Sequence, residues 1–217
     1  MGVSQKTPET TGSGLQRLLD AGEKAFSAQG FDGTSMKEIS RTAEVSQSLL
    51  HYHFGTKEAL YRAVIERRSE AINAERLRLL AKVDLSGADA QSGIFRALLG
   101  PPLGPIGGGM SYARIFAGLV AGGSREVDLV RELYDDTARC FIDALLTASP
   151  GISRIQATRG YSMAIGVLAI SLSGDDRNAS LAGTNPVRNR EQMLPTLVTY
   201  ACGGFAALEK QAKESND

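Results

Sequence analysis

The sequence predicts an all-α fold, an N-terminal three-helix helix-turn-helix unit followed by a larger helical domain, with about nine helices in total. Three observations predict it. Apolar residues recur at three- and four-residue spacings, period-two alternation is missing, and caps and glycine breaks fall at short intervals between residues 30 and 57. The first helix reads from Leu15, with Leu15, Leu18, Leu19, Gly22, Ala25 and Phe26 on one stripe, to a glycine stop at Gly30. Ser35-Met36-Lys37-Glu38 reads as a capping box, Ser35 covering an orphan amide and Glu38 reaching back to the Ser35 amide, so a second helix starts near Met36. Its inner side is Met36, Ile39 and Ala43. After Glu44-Val45, Ser46 caps a third short helix through His53, and Gly55-Thr56 turns the chain into a fourth. That fourth helix is long, with Leu60, Val64, Ile65, Ile72, Leu77 and Leu80 inward and a solvated face that includes Arg62, Arg67 and Arg68.

Beyond Asp84 the spacing predicts helices over 88–99, 110–121, 124–147, 152–173 and 190–213. Two stretches break the pattern, a flexible Gly/Pro-rich connector from Gly100 to Gly109 and a polar loop from Gly174 to Asn189. The expected organisation is a disordered polar tail over 1–14, a helix-turn-helix domain over 15–60 and a helical domain over 61–217.

Composition narrows the function. A 217-residue chain of 23.0 kDa with 42% hydrophobic residues can build a core, which excludes wholesale disorder. Twenty-four Lys and Arg balance 24 Asp and Glu, so bulk charge points to neither a nucleic acid nor a membrane. Cys140 and Cys202 lie far from each other and from both histidines, which excludes a disulfide framework and a zinc site of ordinary spacing and leaves two buried thiols. Without an apolar signal core or a spanning segment, the expected location is the cytoplasm. No cofactor is expected, because the Gly-rich stretch lacks the Gly-Lys-Ser/Thr ending of a phosphate-cradling loop. His51 and His53 would point about 200° apart around a helix, so no metal is expected either. No nucleophile elbow or Cys/His pairing stands out, so no catalytic residue is assigned and the chain reads as a non-enzyme.

The informative stretch is Ser35 to Lys57, a helix-turn-helix order. Ile39, Ala43, Val45 and Leu50 can hold its helices together, while Gln47, Ser48, Leu49, His51, Tyr52 and His53 can reach a major groove or its flanking phosphates. Gln can pair bidentately with adenine, Leu can touch a thymine methyl, and Tyr, His and Lys can donate to phosphate oxygens. At Ile39-Ser40, Glu44-Val45-Ser46, His51-Tyr52-His53-Phe54 and Lys57-Glu58-Ala59-Leu60 the chain resembles the TetR family of bacterial transcriptional regulators. The resemblance implies Gln47, Ser48, Leu49, Tyr52 and His53 on the recognition helix, Lys37 from the preceding helix and Lys57 at the start of the next; Ser35, Ser46 and His51 complete the candidate set. Three positions depart from the family's pattern: Ser40 stands where Ala is usual, Glu44 where the turn Gly is usual and His51 where Tyr is usual.

The resemblance further implies a homodimer, formed through the last two helices, and a small-molecule effector site in the larger domain. Val167, Leu197, Ala201, Gly204, Phe205 and Leu208 are the candidate dimer residues, although such a stripe also suits packing within one subunit. Phe95, Leu99, Met110, Arg114, Phe116, Phe141 and Met163 are the candidate effector residues, in a segment that also holds Tyr112 and Tyr134; aromatic and Met residues at helical spacing serve equally as core. The resulting expectation is a repressor on a palindromic double-stranded operator, released by a small, largely apolar effector. An activating or ligand-independent regulator of the same fold stays open, as does an all-helical enzyme or interaction module.

Overall fold

The computed structural model describes residues 8–173, 175–185 and 189–214. Among them every regular element is helical. In chain order these are α1 (Pro8–Gly33), α2 (Met36–Thr42), α3 (Gln47–Phe54), α4 (Lys57–Leu80), α5 (Ala90–Leu99), α6 (Gly109–Ala121), α7 (Ser124–Ala148), α8 (Arg154–Ser173), α9 (Asp175–Ala182) and α10 (Leu194–Glu214). The chain divides into two compact units, the first running to Arg67 and the second beginning at Arg68, within α4. None of the described helices is long and apolar enough to cross a membrane.

Local chemistry explains most boundaries in the first unit. The Ser46 side chain accepts the Leu49 amide at 3.2 Å and starts α3, and the Thr56 hydroxyl does the same for the Ala59 amide and α4. Gly55, at φ 66°, makes the turn between them. Gly30, also at positive φ, ends the regular part of α1, which starts at Pro8, upstream of the expected Leu15; a proline suits a first helical turn because its missing N–H would be unpaired there anyway. One expectation is corrected. Ser35 makes no side-chain cap, and Glu38 lies 3.9 Å from Arg41 instead of closing a capping box. Leu18, Phe26, Ile39, Leu50, Leu60, Val64 and Ile65 form the core, with Tyr61 packed edge to face on both Phe26 and Phe31.

A second correction concerns charge. Arg67, read as solvated, reaches back to α1, donating to Asp20 and to the buried Glu23 at 2.7 Å each.

In the second unit α8 is central, touching α5, α6, α7 and α10. Gly160 on α8 gives the Phe205 ring its place, since a Cβ there would lie 2.4 Å from the ring. The connector expected to be flexible is instead two 3-10 turns, Pro101–Leu103 and Pro105–Gly107, with Pro101, Pro102 and Leu103 buried. Proline opens each turn and presets its φ. The expected polar loop from Gly174 carries α9, a run without Gly or Pro that opens on two acidic residues, a composition that suits a helix N-terminus; Gly174 and 186–188 lie outside the described residues. Cys140, expected to be buried, is exposed, and Cys202 is half-buried.

Candidate functional site

The short turn after α2 sets the geometry of the first unit's polar face. Ala43 closes α2 onto the Ile39 carbonyl, Glu44 takes φ 53°, and the Val45 amide bonds back to the Ser40 carbonyl at 3.0 Å. Glu44 is the non-glycine residue at positive φ among the described residues, a backbone shape that glycine adopts without strain. Ser40 is buried and turns its hydroxyl onto the Lys37 carbonyl at 2.9 Å, so a polar side chain sits in the packed face without an unpaired atom.

Turned outward, α3 exposes Gln47, Ser48, His51 and Tyr52, the last 81% exposed. Lys37 on α2 is exposed as well, as are Ser35 and Ser46. Three candidates play a more structural part. Leu49 is half-buried and lies against Gly14 of α1. The Lys57 ammonium donates to the Thr34 carbonyl at 3.1 Å, approaches the Asp32 carbonyl and sits 4.5 Å above the Phe31 ring, so it ties α4 to the turn after α1. His51 Nδ1 lies 3.0 Å from the Gly55 carbonyl. His53 is half-buried between Tyr52 and Phe54, and its buried Nε2 has no partner among the described residues. Exposed donors on a short, capped helix can enter a major groove, whereas the His53 Nε2 is itself buried and faces no solvent.

The second unit holds a cavity of about 460 Å³, a volume suited to a small molecule. Its walls come from α4, α6, α7 and α8, with Phe116, Leu119, Val130, Tyr134, Tyr161 and Arg76 among them. Burial pushes the Tyr134 and Tyr161 hydroxyls above the ordinary tyrosine range, and burial likewise lowers the Arg76 guanidinium.

Of the effector candidates, Phe116 lines this cavity. Phe95, Leu99 and Phe141 are core residues, Phe95 edge to face with Phe205; Met110 is half-exposed beside Arg190, and Arg114 is exposed. Met163 belongs with a second, outer groove between α8 and α10, lined by Val167, Ile170, Leu197, Tyr200, Ala201, Gly204, Phe205 and Leu208. Every dimer candidate lines that groove, but Leu197 and Phe205 are buried by their own subunit, while Met163, Ile170 and Tyr200 are 59%, 72% and 68% exposed. Sequence reasoning missed Arg76, Tyr161, Ile170 and Tyr200 as site residues. Among the described residues no group of three or more His, Cys, Asp or Glu could hold a metal ion.

Comparison with known proteins identifies the arrangement. Over 54 residues the chain is 41% identical to the HTH-type transcriptional regulator UidR of Escherichia coli, covering 25% of this chain and 28% of that one. It is 33% identical over 69 residues to the HTH-type transcriptional repressor NicS of Pseudomonas putida, covering 32% of each. The third is the biofilm operon icaADBC HTH-type negative transcriptional regulator IcaR of Staphylococcus epidermidis, 34% identical over 50 residues that cover 23% of this chain and 27% of that one. The chain thus spans about a quarter to a third of the length of these relatives. The fold is shared with the fatty acid degradation regulator FadR of Bacillus halodurans, at a TM-score of 0.67 and 12% identity over 93% of this chain and 98% of that one. A TetR-like transcriptional regulator from Rhodococcus sp. RHA1 gives 0.61 and 22% over 87% and 95%. Residues 18–64 match the family model for bacterial regulatory proteins of the tetR family, and residues 93–204, about half the chain, match the tetracyclin repressor-like C-terminal domain. The chain belongs to the tetR family of bacterial regulatory proteins.

Proposed function

We propose that the protein is a dimeric, DNA-binding transcriptional repressor that a small molecule releases from a palindromic operator. The observation that carries the reading is the outward face of α3, where Gln47, Ser48, His51 and Tyr52 stand exposed on a helix whose start is fixed by Ser46 and whose inner side is anchored by Leu50. In this reading Gln47 and Ser48 contact base edges and Lys37 and Tyr52 meet phosphates.

Two copies are needed because one eight-residue helix reads too few base pairs for operator selectivity. The outer groove of α8 and α10 supports a dimer: it gathers Met163, Ile170 and Tyr200 around Gly166, Gly203 and Gly204, where a partner's backbone can approach closely. Release follows from differential affinity. A ligand that prefers the conformation with the recognition helices wrongly spaced weakens operator binding by the ratio of its two affinities.

The test is fluorescence anisotropy of the full chain against DNA from its own upstream region, beside scrambled DNA. Selective binding that falls steeply with salt is expected, and Gln47→Ala and Tyr52→Ala should each weaken it by about tenfold or more while leaving the fold intact. Equal affinity for both DNAs at every salt concentration would sink the reading.

A further inference from the structure

The 460 Å³ cavity of the second unit contains a charge that the described residues leave unmatched. Arg76 is 1% exposed, yet among the described residues no carboxylate pairs with it. Its Nε donates to the Leu98 carbonyl at 2.8 Å, its Nη1 reaches the Asn73 Oδ1 only at 3.5 Å, and its Nη2 has no partner. Asn73 is committed elsewhere through its own amide, which donates to the Leu133 carbonyl at 2.8 Å. A guanidinium stays charged even when buried, and a buried charge calls for a counter-charge.

The other charged groups on the cavity wall do not supply one. Asp135 is paired with Arg139 at 3.4 Å, and Arg131 with Asp128 at 3.1 Å. The uncompensated charge is therefore that of Arg76, flanked by the hydroxyl-bearing side chains of Tyr134 and Tyr161. The Tyr134 and Tyr112 hydroxyls are 2.5 Å apart, so one donates to the other. The rest of the wall is apolar, with Phe116, Leu119, Val130 and Ile165.

We propose that this cavity takes a small monocarboxylate, its head group held at Arg76 and the tyrosines and its apolar body along Phe116, Leu119, Val130 and Ile165. The inference rests on the ligand-released regulator reading and names the chemical class of its ligand. It narrows the expectation of a largely apolar effector to an acid with an apolar body.

The probes are octanoate, decanoate, phenylacetate and 4-phenylbutyrate, each beside its primary amide, which keeps the shape and removes the charge. Thermal unfolding and calorimetric titration of the full chain are followed by operator anisotropy with the same probes. At least one carboxylate should raise the Tm by several degrees and bind at least tenfold more tightly than its amide. The expected variant result is that Arg76→Met keeps its helical signal and loses that discrimination, while Arg76→Lys, which keeps the charge but not the fork, retains part of it. The wild-type comparison of acid with amide stands even where Arg76→Met does not fold. Four acids that bind no better than their amides, or a folded Arg76→Met that still discriminates, would overturn the proposal. The ligand-free operator titration reports separately on the regulator reading: loss of DNA selectivity there overturns that reading and leaves the acid-to-amide ratio as an independent result.

Discussion

Glu44 holds the turn between α2 and α3 at φ 53° with an L side chain, where the family's usual glycine would be relaxed. A left-handed L residue costs about 1 to 2 kcal/mol, and the extra freedom of glycine in the unfolded chain offsets part of any gain, so Glu44→Gly should stabilise the protein by about 0.5 to 1 kcal/mol. Chemical denaturation checks this. Arg67 carries a larger stake, because it pairs with the buried Glu23. Arg67→Ala removes the cation from that buried carboxylate, and a loss of about 3 kcal/mol is expected by the same measurement. The two thiols should also separate. Burial pushes the Cys202 thiol up, so less thiolate is available, while Cys140 is exposed. Iodoacetamide followed by peptide mass spectrometry should find Cys140 modified first, and equal rates would contradict the packing around α10.

At the scale of helices, the tightest constraint is the approach of Gly160 to Phe205. Gly160→Val would drive two methyl groups toward that ring, and a destabilisation of about 2 kcal/mol with a lowered Tm is expected from overpacking. What was legible in the sequence divides at this scale too. The caps of α3 and α4 and the glycine turns were readable because each depends on atoms two to four residues apart. The capping box at Ser35 was not, since the rotamer of Glu38 answers to Arg41 as well as to the helix end. Helix α9 escaped because its polar composition imitates a loop. Phe116 and Tyr134 could be found among the aromatic residues of the second domain, but Arg76 could not. It sits on a helix otherwise studded with surface charge, and only the packing of α5, α7 and α8 against that side removes it from water. Arg67 was misread for the same reason.

For the molecule as a whole, the prediction concerns assembly. Ile170 is 72% exposed in the α8 and α10 groove. Ile170→Glu should leave the circular dichroism spectrum unchanged, shift the sedimenting species from dimer to monomer and weaken operator binding by at least a hundredfold, because each half-site must then be held alone. An unchanged sedimentation coefficient would remove this face from the interface.

Lys57 carries one further consequence. Its ammonium is spent on two backbone carbonyls and an aromatic ring, in a unit whose charges are evenly balanced up to that residue, with six Lys and Arg against six Asp and Glu. A regulator built this way has little long-range pull on the chromosome at large. Such a regulator would slide for short distances, leave random sequence quickly and find its target mainly by repeated three-dimensional encounters.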